Sequence, residues 1–214
     1  MKLYNVYLSP FAARCRIQIY AKNLPVELVD PPGGLGSADY NAITPTGKVP
    51  CLDTDGFLLP ESELICEYLE DRFPQPSLRP ASPEDRARAR LVSRVCDLYL
   101  NPPMGVLFGQ LNPNARDEKL VAEKVAEVRK VLHLLNGYVG SDGLVTGGKL
   151  SLGDCTLVPM LFFVVTLGEP MGLGSSPLAD FPNLAAAWAH AQAHPSLSKV
   201  ISELGSALAG MQGG

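Results

Sequence analysis

The chain has 214 residues, 46% of them hydrophobic and 19% charged, with a formal net charge of −4 at pH 7. That length can bury one large core or two small ones. An acidic balance with no long block of one sign argues against nucleic acid or an anionic membrane as the main partner. The cysteines at 15, 51, 66, 96 and 155 are odd in number and include no Cys-x-x-Cys pair, so they suggest neither a disulfide framework nor a zinc site and read as reduced, buried hydrophobes. Met1 leads directly into strand-like residues without a basic and apolar leader, and no apolar stretch approaches the roughly 20 residues a bilayer needs. A cytoplasmic protein is expected.

Lys2 to Leu8 is a short apolar run. Pro10 to Lys22 then carries Ile17, Ala21 and, just beyond, Leu24 at helical spacing, and Val26 to Val29 is a second short run. This predicts a β-α-β unit with parallel strands and a right-handed crossover. Residues 30 to 40, with Pro31, Pro32, Gly33, Gly34 and Gly36, read as a loop able to border a site. Val49 to Leu52 and Phe57 to Leu59 flank Asp53, Thr54, Asp55 and Gly56, a strong hairpin signal. A helix from Glu61 follows, with Leu64, Ile65, Tyr68 and Leu69 on one stripe, and Pro74 stops it.

Pro74, Pro76, Pro80 and Pro83 make a stiff connector, which divides the chain into a domain over 1–75, a linker over 76–82 and a second domain over 83–214. Beyond Glu84 helical periodicity dominates. Ala87, Leu91, Val95 and Leu98 form one predicted stripe, and Val121, Val125, Val128, Leu132 and Leu135 another. Ser151 to Asp154 has capping-box spacing and opens the very apolar helix Cys155 to Leu167, expected at the centre of an all-α bundle. Pro182 and Pro195 begin two further helices, and the small-residue tail from Gly205 to Gly214 is expected to lack firm order.

Ser9 stands where the first strand hands over to the first helix. A helix N-terminus offers unpaired N–H groups and a positive dipole end, so a hydroxyl there can donate to a bound thiol and favour its thiolate. Pro10 suits the first helical turn, which makes Ser9 the expected N-cap. A capping serine without chemistry satisfies the tripeptide equally well, and it is the company of further motifs that gives Ser9 a functional reading.

Those motifs are the Ser9-Pro10-Phe11 helix start, the Gly47-Lys48-Val49-Pro50 turn, the Glu61-Ser62 helix start and the Ser151 to Asp154 box. In this order, over essentially the whole chain, the sequence resembles the cytosolic glutathione transferase superfamily. Ser-Pro-Phe-x-x-Arg is similar to its serine-using classes, especially the tau and zeta groups. The resemblance implies a thioredoxin-like α/β domain (βαβ then ββα, around a mixed four-stranded sheet) followed by the all-α helical domain. It also implies glutathione as co-substrate, no metal, and a homodimer in detoxification.

The resemblance implies a role for each motif residue. Ser9 would activate the glutathione thiol, with Tyr7, two residues earlier, as its rival. The Val49–Pro50 bond would be cis, and the main chain of Val49 would pair with the cysteinyl unit of glutathione. Glu61 and Ser62 would clamp the γ-glutamyl ammonium and carboxylate, Lys48 would reach the glycyl carboxylate, and Phe11 would border the site. The absence of a cysteine at position 9 argues against disulfide exchange by a protein thiol. An apolar electrophile would meet Phe11, Tyr99, Pro102, Pro103, Met104, Leu107 and Phe108, with the two prolines bending their helix. His133, His190 and His194 have no partners that would suggest a metal site or a triad.

The leading expectation is a glutathione transferase that attacks an apolar electrophile. A glutathione-dependent isomerase or ether-cleaving enzyme is an alternative, although a single serine in the first motif departs from the zeta pattern and counts against maleylacetoacetate isomerisation in particular. A glutathione-binding interaction module that catalyses little is another, because fold alone does not fix function.

Overall fold

The computed structural model describes residues 1–44 and 46–212. The described chain divides into two compact units: Met1–Arg79 together with the segment from Pro195 onward, and Pro80–His194. This division differs from a cut at 76–82 with everything beyond in one domain, because the last helix groups with the first unit.

In the first unit β1 (Lys2–Tyr4) is followed by α1 (Pro10–Lys22), β2 (Glu27–Val29), α2 (Ala38–Ile43), β3 (Cys51–Thr54), β4 (Phe57–Pro60) and α3 (Ser62–Arg72). Among the described residues the strands form one mixed sheet of four in the order β2-β1-β3-β4. β1 runs parallel to β2, with Leu3 opposite Leu28, and antiparallel to β3, with Leu3 opposite Leu52. β3 and β4 form the expected hairpin, in which Asp55 and Gly56 both have positive φ and Gly56 N–H donates to the Asp53 carboxylate at 3.0 Å. Leu3, Leu52, Ile65 and Leu69 are fully buried, each contributing roughly 1.5–3 kcal/mol of apolar burial.

Two expectations about this unit are corrected. The first apolar run leaves the sheet early: Asn5 N–H still bonds Val29 C=O, but Val6 to Leu8 turn toward α1. The predicted loop over residues 30–40 also gives way to α2 at Ala38. Ser37 caps that helix by accepting from Tyr40 N–H at 3.1 Å, and it donates to Pro32 C=O at 2.6 Å. Asp39 in the first turn suits the positive end of the helix.

α1 is buried on nearly every side between Ala12 and Ile19, since it packs against both α3 and the last helix, Pro195–Gln212. Its buried polar side chains are paired. Gln18 and Lys22 donate to Glu70 Oε1 at 3.0 and 2.5 Å, while Glu70 Oε2 accepts from Leu78 N–H and Ser77 Oγ. With both oxygens engaged the buried charge is compensated, and the chain beyond α3 is pinned to α1.

The second unit contains α4 (Pro83–Val95), a π-helical turn (Cys96–Leu100), α5 (Asn101–Gly109), α6 (Glu118–Tyr138), α7 (Leu152–Thr166) and α8 (Pro182–Ala193). α9 (Pro195–Gln212), counted with the first unit, closes the described chain. The expected disorder from Gly205 is corrected as far as Gln212: α9 buries Leu197, Val200, Leu204 and Leu208, and that stripe carries the helix through its small residues. Residues 213 and 214 lie outside the described residues.

The stripe expected on α4 is also corrected. Ala87, Leu91 and Leu98 are exposed, and the buried face is Ala89, Val92, Ser93, Val95 and Cys96. That face meets α7 closely: Ser93 and Thr156 share a hydrogen bond at 2.9 Å, and Gly153 lies against the backbone of Ala89. Pro102 and Pro103 interrupt less than expected, because the π-helical turn leads directly into α5 and places them in its first turn, where an N–H is dispensable. Ser151 and Asp154 form the expected capping box, and the Asp154 carboxylate also accepts from Val145 N–H at 2.9 Å.

Candidate functional site

Ser9 caps α1 from an extended conformation and accepts a hydrogen bond from Ala12 N–H at 3.2 Å. A hydroxyl that accepts in this way still carries a hydrogen to donate. Pro10 follows within the first turn, and Phe11 comes next. Tyr7 is 41% exposed, its ring lies 4.9 Å from the Arg16 guanidinium carbon, and its C=O accepts from Arg16 at 2.9 Å.

A cavity of about 140 Å³ opens in the first unit, lined by Phe11, Thr46, Lys48, Val49, Pro50, Pro60, Glu61 and Ser62. Six residues singled out from sequence therefore gather around one hollow: Phe11, Lys48, Val49, Pro50, Glu61 and Ser62. Ser9 and Tyr7 are not among the lining residues. The Val49–Pro50 bond is cis, the isomer the resemblance implies. Proline has no N–H for a sheet ladder, and β3 begins immediately after it at Cys51.

Glu61 has φ 72°, ψ 107° and no side-chain capping bond. A non-glycine residue held at positive φ costs on the order of 1–3 kcal/mol and persists where surrounding structure demands it. It leaves an exposed carboxylate at the mouth of α3, whose first N–H groups have no intrahelical acceptor. Lys48, also exposed, supplies the cation of the lining. A cavity with a carboxylate, a lysine and a helix N-terminus matches a ligand bearing both an ammonium and carboxylates.

Thr46 and Pro60 line the cavity without having been singled out. Thr46 Oγ1 lies 3.1 Å from Thr44 Oγ1 and accepts weakly from Lys48 N–H at 3.5 Å, so the Thr-x-Thr spacing before Gly47 was the available signal. Tyr40 of α2 acts from beneath: its hydroxyl donates to Lys48 C=O at 2.8 Å, and burial pushes its pKa up, keeping the donor protonated. The missed α2 therefore supports the Lys48 turn.

The residues expected to meet an electrophile separate by exposure. Leu107 is wholly enclosed and Met104 and Pro103 are buried, whereas Tyr99 is 58% and Phe108 39% exposed. Among the described residues no cluster of three or more His, Cys, Asp or Glu side chains is placed to hold a metal ion, and no helix is long and apolar enough to cross a membrane.

A mixed four-stranded sheet with its helices, followed by a helical unit, defines a thioredoxin-like α/β fold joined to an all-α one. Residues 3–77 match the glutathione S-transferase N-terminal domain, and residues 95–195 match the C-terminal domain of the same family. The chain belongs to the glutathione S-transferase family and is an enzyme of that class. It is 36% identical over 207 residues to a maleylacetoacetate isomerase of Pseudomonas aeruginosa, a match covering 92% of this chain and 96% of that protein. It is 27% identical to glutathione S-transferase U3 of Arabidopsis thaliana, over 86% of this chain and 80% of that one. In structure it is similar to poplar glutathione transferase F1, with a TM-score of 0.80 at 22% identity over 96% and 98% of the two chains.

Proposed function

We propose that this enzyme binds glutathione in the Phe11–Ser62 cavity and ionises its thiol with the hydroxyl of Ser9, delivering the thiolate to an apolar electrophile. The observation that carries this reading is the gathering of Lys48, Val49, Glu61 and Ser62 around one hollow, beside a helix that Ser9 caps. Glu61 receives the γ-glutamyl ammonium, and the N-terminal turn of α3 with Ser62 receives its carboxylate. Val49 pairs through its main chain with the cysteinyl unit, and Lys48 takes the glycyl carboxylate. The small molecule thus finds an opposite charge or a donor at each end.

A cysteine thiol with a pKa of about 8.5 is only a few per cent ionised at neutral pH. A donated hydrogen bond from Ser9 and the positive end of α1 stabilise the anion as the proton leaves to solvent. The sulfur lone pair then forms a bond to an electrophilic carbon, and either a leaving group departs with its electrons or a conjugated system accepts them. The protein acts in the cytoplasm as a homodimer, in the manner of a detoxification enzyme.

A second reading is favoured by the 36% identity to a maleylacetoacetate isomerase. There the same thiolate would add to a cis double bond, rotation about the resulting single bond would follow, and elimination would return the thiolate. The carbon–sulfur bond is temporary and glutathione is regenerated. A single serine in the first motif is the feature that keeps conjugation in first place.

The test is a titration with glutathione, following thiolate absorbance against pH, on the unaltered protein and on Ser9→Ala and Tyr7→Phe. Ser9→Ala is expected to raise the ionisation midpoint by about one to two pH units, toward the free-thiol value. Tyr7→Phe is expected to leave it in place. Loss of the anion in Tyr7→Phe alone transfers the role to the tyrosine, and no anion in the unaltered protein leaves a binding module. A panel of haloarenes, enones and cis-dienoic acids separates conjugation from isomerisation by whether glutathione is consumed.

A further inference from the structure

Beyond Asn5 the chain leaves the sheet, so the segment that delivers Ser9 to the start of α1 has no strand beside it. Its backbone is held by Arg16, seven residues further on. The Arg16 side chain is 0% exposed, and its fork of donors is distributed over four groups. Nη1 donates to Asn5 Oδ1 at 2.6 Å and to Val6 C=O at 3.4 Å, Nη2 to Tyr7 C=O at 2.9 Å, and Nε to Glu203 Oε2 at 3.0 Å. Val6 C=O also accepts from Ser9 N–H at 3.0 Å. Arg16 and Ser9 therefore meet on one carbonyl.

The counter-charge comes from far along the sequence. Glu203 lies on α9, and its other oxygen accepts from the Tyr20 hydroxyl at 2.7 Å, which fixes the carboxylate from a second side. Burial draws the guanidinium below its ordinary value, and Glu203 opposes that. A guanidinium this enclosed is tolerable only with its charge compensated and its donors engaged, so removing Glu203 loosens Arg16 from its carbonyls as well as from its partner.

We infer that Arg16 and Glu203 form a positioning pair for the thiol-activating segment: Arg16 fixes the carbonyls of Val6 and Tyr7, and through Val6 the orientation of Ser9, while Glu203 on the last helix holds Arg16 in register. The inference rests on the Ser9 reading above and gives the C-terminal helix a part in glutathione activation. Neither residue lines the cavity. Lys48, Val49, Glu61 and Ser62, which would bind the tripeptide, are on other segments.

The pair is tested by the thiolate titration and by steady-state kinetics on the full chain carrying Glu203→Gln, Glu203→Asp, Arg16→Lys or Leu204→Ala. Glu203→Gln and Arg16→Lys are expected to raise the ionisation midpoint of bound glutathione by about one pH unit, lowering kcat at neutral pH by about three- to eightfold as the thiolate fraction falls. KM for glutathione should stay within about twofold, because the binding residues are untouched. Lysine keeps the charge but lacks the planar fork that reaches two carbonyls and a carboxylate together. Glu203→Asp restores part of the loss and carries the comparison should Glu203→Gln fail to fold. Leu204→Ala, which removes a buried side chain from the same helix, is expected to lower Tm without moving the midpoint. A midpoint unmoved in the Glu203 and Arg16 variants, while Ser9→Ala shifts it, overturns the inference and leaves the serine reading standing. An equal shift in Leu204→Ala overturns it too, because a loosened helix would then suffice. If Ser9→Ala itself moves nothing, the serine reading falls first and takes the role of the pair with it.

Discussion

The five cysteines of this protein lie where a thiol is a poor nucleophile. Cys15, Cys51, Cys66, Cys96 and Cys155 are all buried. Cys66 lies 3.9 Å from Cys15, and the hydrogen bond between them together with burial pushes its thiol well up; burial raises Cys51 as well. A thiol held protonated and enclosed is a poor nucleophile. The native protein is expected to react negligibly with a thiol-specific disulfide reagent over minutes, and to yield its full complement of five thiols in denaturant; a fast-reacting equivalent in the native state would contradict this. Glu61 shows the opposite treatment, since it is exposed and strained at the mouth of the cavity. Its place beside the other motif residues was legible in sequence and the cavity lining includes it, whereas its positive φ was not, because no local preference places glutamate there.

Among the elements, the contact of α4 with α7 depends on a missing side chain. A Cβ on Gly153 would lie 3.0 Å from Ala89 Cα and 2.9 Å from Val145 Cγ1. The first is backbone and has no rotamer by which to yield. Gly153→Ala is therefore expected to destabilise by about 1–3 kcal/mol, lowering Tm by several degrees in thermal denaturation, with the apparent affinity for glutathione unchanged. Strand and helix order was readable from period and turn chemistry. The face each helix buries was less so: on α4 the apolar residues Ala87, Leu91 and Leu98 suggested a core stripe, yet Ala89, Val92, Ser93 and Val95 face inward. A serine reads as polar until a threonine on the facing helix accepts it, and that partnership spans 63 positions. α2 was hidden for a related reason. Glycines and prolines before it announce a loop, and six residues are too few to show a helical period.

For the molecule as a whole, glutathione binding and folding stability are linked. A ligand that binds only the folded protein stabilises it by about 2.7 kcal/mol at 100 times its Kd, so Tm is expected to rise steadily with glutathione concentration. In Glu61→Ala the same titration should give a weaker response, displaced to higher concentration. An equal response in that variant would remove Glu61 from the site. The family, the order of elements and most of the cavity lining were legible because they depend on local signals: a capping serine before proline, Asp-Gly between apolar runs, a lysine turn, an acidic helix start. Sequence by itself determined which segments fold and which chemical groups each presents, since backbone preference and side-chain type are properties of neighbours along the chain. Tertiary structure decided that Glu203 answers Arg16, that Tyr40 props Lys48, and that the last helix joins the first unit, because pairing of buried charges and donors depends on which distant segments the core brings together.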